Sequence, residues 1–371
     1  MTRDILRMAD WMAAQAVTHV ALESTGVDGK PIYNILEGRF TVLLVHARHL
    51  KQVPGRKSDI RDCQWIAQLL QPGLLKGSFI PSRPQRELRD LTRHRTPLLE
   101  EKTRTTNRME KVLADANIKL GSVASAVRGV SGRARIQALL EGEKDSAQIA
   151  DLARRSLRGK IPELQKALAG YRTEHHRFLL RLLWKQLTQQ EALIAELEAK
   201  IQKLTRCFAP QMERLDGVPG VDRRVAKVVL AELASDMNPF PTHRHLSAWA
   251  GMCPGHEESA GKRRKRRITP GNRWLKRTLV PAAWAATHTK NSYLASQYRR
   301  LAGRRGKKRA LLAVGHSILL ILYYLLKEGK DYADLGNDFF DRLEPQRLTR
   351  HYVHRLQPLR HKVTLEPGVT V

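Results

Sequence analysis

The sequence predicts an α/β domain at the N-terminus, followed by a longer and mainly α-helical part. Short apolar runs with strand character alternate with helical spacing as far as about residue 83, and strand-like runs largely stop after it. Leucines and isoleucines at alternating steps of three and four then predict a coiled coil over residues 171–206. The chain of 371 residues is long enough for two or three domains.

The N-terminal domain is predicted element by element. The expected order is a helix over residues 2–17, a strand within THVALEST (18–25), a helix around 31–36, a strand over 41–47 and a helix over 59–70. Gly26 closes the first strand, and Ser58 is the expected N-cap of the last helix. This order predicts a parallel-type sheet covered by helices.

The helical part is predicted to divide further. The seam of the expected coiled coil consists of Leu180, Leu183, Leu187, Gln190, Ile194, Leu197, Ile201 and Leu204. It favours self-association of the chain, and the alternative is a long amphipathic helix packed inside the same molecule. The predicted divisions are 1–83 for the α/β domain, 84–170 for a helical linker, 171–206 for the coiled coil, 207–330 for a C-terminal domain and 331–371 for a polar, irregular tail.

The charge of the chain indicates a polyanionic partner. Lys and Arg number 66 against 36 acidic residues, which gives a formal net charge of +30. Nucleic acid is the first expectation and an anionic membrane surface the second. Three distant cysteines, Cys63, Cys207 and Cys253, exclude a disulfide framework and favour a reducing compartment. A hydrophobic fraction of 42% excludes global disorder.

A cytoplasmic, nucleoid-associated protein without a membrane segment is expected. The N-terminus lacks the uninterrupted apolar core of a signal peptide. The longest apolar run, residues 310–326, is interrupted by Gly315, His316 and Ser317 and reaches only the lower limit of a membrane span. A buried helix is the better interpretation.

The segment LDGVPGVDRRVAKVVLAEL (215–233) predicts a helix-hairpin-helix motif. Gly217 and Gly220 of its GVPG turn would expose backbone N–H groups, and the following helix N-terminus would offer a phosphate site. Arg223, Arg224 and Lys227 add positive charge. The alternative is an inert helical turn.

Two carboxylates, Asp59 and Asp62, stand three residues apart at the start of a predicted helix and therefore share one face. Like charges in proximity are unfavourable unless a cation lies between them, and oxygen ligands suit Mg²⁺. Glu23, at the end of the first strand, is a candidate third ligand. The alternative is that both aspartates stabilise the positive end of their helix.

Ser259 lies at the edge of a strongly basic run. Between Lys262 and Arg277 there are nine Lys or Arg residues and no acid. A serine can attack phosphorus where cations stabilise the charge, although most loop serines are inert and most basic runs are solvated or bind nucleic acid nonspecifically. The residues predicted to contact nucleic acid are Lys57, Gly217, Gly220, Arg223, Arg224, Lys227, Lys262, Arg263, Arg264, Lys265, Arg266, Arg267, Asn272, Arg273, Lys276 and Arg277.

One group of potential metal ligands does not predict a site. His243, His245, Cys253 and His256 lie within fourteen residues, but their spacing fits none of the common zinc patterns.

Several segments together resemble one protein family. They are ALESTG (21–26), VHARHLKQVPGRKSDIRDCQWIAQLL (45–70), ESAGKR (258–263), GNRWLKRTLVPAAWAA (271–286) and RRGKKRALLAVGHSILLILYYLLKEG (304–329). In this order they are similar to the DEDD transposases of the IS110 family, IS1111 group. The resemblance implies an RNase H-like (RuvC-like) domain whose Asp-Glu-Asp-Asp metal site is matched here at Glu23, Asp59 and Asp62. It also implies that Ser259 is the nucleophile of a C-terminal transposase domain.

The first aspartate of that metal site has no match in this chain. Asp4 and Asp10 lie on the first predicted helix and are not candidates. We therefore expect an incomplete RuvC-like domain that lacks its first strands and binds metal poorly. A reading frame that begins upstream or a decayed element would account for this.

The resemblance implies a site-specific recombinase that exchanges DNA strands. The serine would form a phosphoserine link with double-stranded DNA of the element ends and the target, assisted by Mg²⁺, and an element-encoded guide RNA would select the sites. Dimers would pair into tetramers. The alternatives are a non-catalytic nucleic-acid-binding protein and a junction-resolving nuclease that uses only the carboxylates.

Overall fold

The computed structural model divides the chain into two compact units, Met1–Arg83 and Pro84–Val371. The structure describes residues 2–23, 29–45, 59–75, 77–123, 129–143, 145–253, 258–259, 262–263, 271–359 and 362–365. Within these ranges the side chains of residues 59–62, 258–259, 262–263, 347 and 351 fall outside the description.

The first unit contains a two-stranded parallel sheet with helices. Its elements are α1 (Thr2–Ala14), β1 (His19–Glu23), α2 (Gly29–Leu36), β2 (Thr41–Val45) and α3 (Asp59–Leu70). Strand β1 pairs with β2 in a register that sets His19 against Thr41 and Glu23 against Val45. Ala9 and Leu36 are fully buried in a small core beside Phe40. The predicted order of helices and strands, and the parallel pairing, are confirmed.

The second unit begins with a long helical hairpin. Helix α4 (Arg83–Asp115) and helix α9 (Glu174–Thr205) run antiparallel. Side-chain contacts along their length demonstrate this direction: Arg95 forms an ion pair with Glu198, Lys102 forms one with Glu191 at 2.8 Å, and His176 hydrogen-bonds to Asp115 at 3.0 Å. The connecting chain forms α5 (Leu120–Val123), α6 (Val130–Glu141), α7 (Ser146–Asp151), a 3₁₀ turn (Arg155–Lys160) and α8 (Ile161–Leu168).

The predicted coiled-coil seam of α9 is filled from within the chain. Leu180 and Leu187 share a buried cluster with Met109 and Leu113 of α4, and Ile201 packs with Leu88 near the other end. The alternative of an amphipathic helix packed inside the same molecule therefore describes α9 in this structure. Self-association through α9 stays a prediction.

The remaining helices of the unit surround one core. They are α10 (Ala209–Asp216), α11 (Arg223–Leu233), α12 (His243–Ala250), α13 (Arg273–Ala286), α14 (Tyr293–Arg305) and α15 (Lys307–Glu328), with a short 3₁₀ turn, Arg206–Phe208, before α10. In the described part of the chain α15 alone is long and apolar enough to cross a membrane. Val314, Ile318 and Leu322 on its length are fully buried in the core, as predicted for a buried helix.

The C-terminal segment is more regular than the sequence predicted. Two helices, α16 (Phe339–Leu343) and α17 (Pro345–Leu356), lie in the region expected to be irregular, and a 3₁₀ turn (Gln357–Leu359) follows them. The rings of Phe339 and Phe340 lie 5.2 and 5.4 Å from that of Tyr293 and tie the segment to α14. The sequence did not predict α16, because five residues are too few to show a helical period and its ring contacts are with a residue more than forty positions away.

Gly220 brings the turn after α10 into contact with α13. Its φ is +82°, and a Cβ at this position would lie 2.1 Å from the carbonyl oxygen of Ala282. Because both the conformation and the space exclude a side chain, G220A is expected to lower the free energy of unfolding by about 2 to 5 kcal/mol. Urea unfolding measures this loss.

The matched control for this prediction is G303A. Gly303 lies inside α14 with no atom within 4 Å of an added Cβ, so alanine there is expected to stabilise by about 0.5–1 kcal/mol. Equal effects of the two substitutions would contradict the assigned contact.

Glu191 on α9 receives two cations from other helices. Lys102 lies 2.8 Å from it, and Arg133 also binds it. Burial would raise the pKa of Glu191, but the hydrogen bonds and charges of Arg133 and Lys102 outweigh burial and hold this pKa below its ordinary value.

A lowered folded-state pKa stabilises the protein above the ordinary glutamate pKa of about 4.3, and this contribution is lost as the pH falls through the folded value. E191Q is therefore expected to be less stable than the wild type near pH 7, with a difference that shrinks at about pH 4 and below. Urea unfolding of both proteins at each pH measures it. E163Q, at an exposed position of α8, is the control and should show little difference. A gap that widens in acid would contradict the assignment.

Candidate nucleic-acid interface and serine loop

The backbone places Ser259 in a small antiparallel ribbon. Strand β3 (Glu258–Ser259) pairs with β4 (Lys262–Arg263), and Ser259 stands opposite Lys262. The first residue of the basic run is therefore the cross-strand neighbour of the serine, and Arg263 stands opposite Glu258. The side chains of this ribbon and all of residues 264–270, which include Arg264, Lys265, Arg266 and Arg267, lie outside the described residues.

The segment that carries Ser259 leaves and re-enters the helical core at one point, and residues 252–270 are called the serine loop below. Gly251 ends α12 with φ +65°, and Gly271 lies against it so closely that an added Cβ on Gly271 would be 2.3 Å from the Gly251 nitrogen. The N–H of Asn272 donates to the carbonyl of Trp249 at 3.2 Å. The two ends of the loop are thus joined backbone to backbone.

Asn272 is the residue at which the chain enters α13. Its Oδ1 accepts hydrogen bonds from the N–H groups of Trp274 and Leu275, both at 3.0 Å, and caps the helix. Its Nδ2 donates to Oε2 of Glu232 at 2.6 Å. The side chain predicted to contact nucleic acid is therefore used inside the protein.

Glu232 of α11 is the most buried charge of this region, with 0% of its surface exposed. Nε and an Nη of Arg93 each donate to one of its carboxylate oxygens at 2.8 Å. The Nε of Arg89 lies 3.3 Å from Oε2. Burial lowers the pKa of Arg89, and Glu232 opposes that shift. Fork-like pairing of this kind, with further hydrogen bonds, offsets the cost of burying a carboxylate.

Two tryptophans complete the surroundings of the buried carboxylate. The guanidinium of Arg89 lies 5.9 Å from the ring centre of Trp249, and that of Arg93 lies 5.8 Å from the ring centre of Trp274. Glu232 was not predicted from the sequence, because its two arginines stand about 140 positions away along the chain. One feature of the sequence could have indicated it: an acidic residue in an otherwise apolar stretch of a buried helix needs cationic or hydrogen-bonding partners.

Helices α10 and α11 flank the GVPG turn, and the three together are called the hairpin below; the helix-hairpin-helix assignment stays a prediction. The N-terminus of α11 differs from the expected phosphate site. The carboxylate of Asp222 accepts from the N–H of Val225 at 2.8 Å and caps α11, so an acidic group of the protein itself occupies that helix N-terminus. The N–H groups of Gly217, Val218 and Val221 donate to backbone carbonyls of the chain. The N–H of Gly217 is thus used within the chain, while the contact of Gly220 with nucleic acid and the contacts of the cationic side chains stay predictions.

Those cations surround the hairpin and the start of α13. Arg223 and Arg224 are exposed, and Lys227 is half-buried. The guanidinium of exposed Arg273 lies 4.9 Å from the ring centre of Trp274. Lys276 is half-buried, and Arg277 is exposed and forms an ion pair with Glu100 of α4.

A groove of about 850 Å³ lies between the hairpin turn, α4 and α13. Arg93, Arg95, Arg224 and Arg277 contribute to its lining, together with apolar side chains such as Val225. This arrangement gives the C-terminal domain a concave, cation-edged surface beside the hairpin.

The structure describes the candidate metal ligands only in part. Glu23 is the half-buried last residue of β1, and Asp59 and Asp62 occupy the first turn of α3, which packs against β1. The side chains of both aspartates, and all of Lys57, lie outside the described residues. Among the residues that are described, no group of three His, Cys, Asp or Glu side chains could hold a metal ion. Asp10 is paired with Arg39 at 2.6 Å.

The histidines whose spacing fits no zinc pattern have other partners. His243 hydrogen-bonds to the hydroxyl of Tyr324 at 3.0 Å, and His245 to that of Thr242 at 2.9 Å. Cys253 is a free thiol, and His256 lies outside the described residues.

Two family models match the chain. One, named for the DEDD transposases of the IS110 type, matches residues 2–118, and one described as the transposase IS116/IS110/IS902 family matches residues 212–299. Together they cover more than half of the chain, and both the α/β unit and the hairpin with the serine loop fall inside them.

Three relatives support the same assignment. The IS110 insertion-element 43.6 kDa protein of Streptomyces coelicolor is 31% identical over 138 residues, which is 37% of this chain and 33% of that protein. The transposase for insertion sequence element IS1111A of Coxiella burnetii is 23% identical over 294 residues, 78% of this chain and 72% of the relative. The y4rJ protein of Sinorhizobium fredii is 22% identical over 336 residues, 84% and 77% respectively. The chain thus spans a third of the first relative and more than two thirds of the others.

Removal of the cations at the start of α11 tests the interface. R223A, R224A and K227A combined are expected to weaken binding to nonspecific duplex DNA. The slope of log affinity against log salt should fall by about 0.9 for each phosphate that the variant no longer neutralises. Fluorescence anisotropy across a salt series measures both.

The control for this test is the triple variant R158A, K160A and K166A, which removes the same charge from exposed positions around α8. Equal slopes in the two triple variants would show that the hairpin contributes only net charge.

Proposed function

Because the chain belongs to the IS110 family of DNA transposases, we propose that it exchanges DNA strands during transposition of an insertion sequence, with Ser259 as the nucleophile. The observation that supports this most directly is the ribbon that sets Ser259 opposite Lys262 at the head of a basic run, inside the segment that the second family model matches. The net charge of +30 agrees with a DNA substrate.

The serine step is a transfer at phosphorus. Oγ of Ser259 forms a bond to a DNA phosphorus, the bond from that phosphorus to one deoxyribose oxygen breaks, and the released oxygen takes up a proton. A hydroxyl of a second strand then attacks the phosphoserine, joins the new strand and returns Oγ with its proton. The phosphate carries negative charge throughout, and cationic side chains near Lys262 and Arg263 would stabilise it.

The carboxylates are proposed to hold Mg²⁺. Glu23, Asp59 and Asp62 supply the oxygen ligands that this ion prefers, and the packing of α3 on β1 brings the two backbone segments that carry them side by side. When bound, Mg²⁺ would polarise a phosphate oxygen. This chain offers three of the four acids of the family pattern.

The partners are proposed at the level that charge and family support. Double-stranded DNA of the element ends and the target is the substrate, and an element-encoded RNA is the guide. Self-association would use exposed side chains of the α4–α9 hairpin, because its seam is internally filled. The place of action is the cytoplasm, at the nucleoid.

Two other functions are the alternatives to strand exchange. A non-catalytic nucleic-acid-binding protein is favoured by the unmatched first aspartate. A RuvC-like junction nuclease that uses only the carboxylates is favoured if the serine is dispensable.

A strand-exchange assay with the full chain and Mg²⁺ separates these functions. S259A is expected to abolish exchange and the covalent protein–DNA adduct. Mg²⁺-dependent nicking that persists in S259A would assign a separate cleavage reaction to the carboxylates. The combined substitutions D59N and D62N are expected to abolish the increase in exchange rate that Mg²⁺ gives to the wild type.

S292A serves as the serine control, because Ser292 is buried and its hydroxyl is used within the protein, where it caps α14 and donates to the carbonyl of Thr289. Exchange retained by S259A would remove the serine from the mechanism. A wild-type chain that binds DNA and produces neither exchange nor nicking would support the non-catalytic alternative.

A further inference from the structure

We propose that Glu232 is a positioning residue that fixes both ends of the serine loop, and that exchange depends on it although it touches no DNA. The part of this inference that concerns exchange rests on the proposed role of Ser259. The part that concerns the loop rests on the contacts of the helical core alone.

The carboxylate of Glu232 is enclosed by the protein. Glu232 has no exposed surface, so a nucleic acid cannot reach it. Its oxygens are occupied by Arg93, Arg89 and the amide of Asn272, at distances of 2.6 to 3.3 Å. A buried carboxylate with this many hydrogen bonds is held in one orientation, and the hydrogen bonds in turn fix the positions of the side chains that donate them.

The same carboxylate is connected to both ends of the loop. Asn272 follows the loop directly, and its Nδ2 is held by Glu232 while its N–H is held by the carbonyl of Trp249. At the other end, the ring of Trp249 lies under the guanidinium of Arg89, which also bonds to Glu232. The contact of Gly251 with Gly271 closes the base of the loop. One carboxylate therefore sets the exit of the loop directly and its entry through Arg89.

The arginines that bind Glu232 come from a different part of the chain. Arg89 and Arg93 belong to α4, near whose N-terminus Gln85 also donates to the carbonyl of Leu230 in α11. Arg89 further donates to the backbone carbonyls of Ala231 and Glu232. The C-terminal end of α11, where helix carbonyls lack partners, is thus capped by side chains of α4. The serine loop is held by a helix outside residues 207–330, the segment predicted as the C-terminal domain.

The test uses three variants of the full chain. E232Q removes the charge that Arg93 and Arg89 face, and N272D sets two carboxylates against each other. The double variant E232Q/N272D reverses the polarity of the 232–272 hydrogen bond and keeps one carboxylate beside the arginines. It also keeps an oxygen that caps α13.

Each single variant is expected to slow single-turnover exchange at saturating DNA by about 10- to 100-fold, the range for a misplaced reacting group. The affinity for DNA should change much less than the rate, because the carboxylate of Glu232 is fully buried and the charged residues at the start of α11 are unaltered. The double variant should recover most of the rate. E191Q, which changes an ion-paired glutamate of the α4–α9 hairpin in the same way, should leave the rate unchanged.

A second measurement does not require the serine to be a nucleophile. The serine loop contains six consecutive trypsin sites, Lys262 to Arg267. Well below the melting temperature, each single variant should be cleaved there faster than the wild type and E191Q, and the double variant should be cleaved at close to the wild-type rate.

The outcomes separate the two hypotheses. Cleavage and exchange at wild-type rates in E232Q, with only a lower melting temperature, would overturn the positioning role. Faster cleavage in the single variants, together with full exchange by S259A, would reject the serine mechanism and still support the tie between Glu232 and the loop.

Discussion

The helical unit depends on one helix that must satisfy two different partners along its length. Helix α4 has 33 residues and is therefore about 50 Å long. Toward its C-terminus α4 fills the apolar seam of α9. Toward its N-terminus its arginines neutralise the buried carboxylate of Glu232 in α11. Hydrogen bonds between arginine and carboxylate require a particular geometry, whereas apolar contacts along a seam do not. The arginines therefore fix the position of α4 along its axis relative to α11.

The distribution of charge follows from the same constraint. Several of the scarce acids are used in internal pairs: Glu232 with Arg89 and Arg93, and Glu191 with Lys102. Acids used internally cannot neutralise the surface. Each of these two acids pairs with two cations, so the internal pairs lower the remaining excess of +30 only slightly. An excess of this size raises the local concentration of a polyanion and gives association a strong dependence on salt.

Local periodicity predicted most of the elements, and distant contacts limited what could be predicted of the site. The helix over 59–70 and the strand at 41–45 follow from patterns within a dozen residues, and the structure contains both. The partner of the α9 seam did not follow, because α4 precedes α9 by about ninety positions and the heptad pattern is the same for either partner. Glu232 was missed for the same reason.

Two capping residues could have been recognised from the sequence. Asp222 and Asn272 each stand directly before a helix, where Asp and Asn are preferred N-caps. The prediction for Asn272 considered nucleic acid and not this preference, and the expectation of a phosphate at the N-terminus of α11 did not consider Asp222. Because a run of cations lies nearby, both helix N-termini were interpreted as part of a nucleic-acid site, although helix capping already accounted for the two residues.

The contact between Gly251 and Gly271 has a consequence for how this part of the protein can change. A segment whose two ends already meet can be lengthened, shortened or exchanged without moving the helices from which it projects. Doubling its length would cost only about 0.6 kcal/mol of chain entropy. The segment that carries Ser259 and the basic run can therefore change in length and sequence while the helices that hold its two ends are retained.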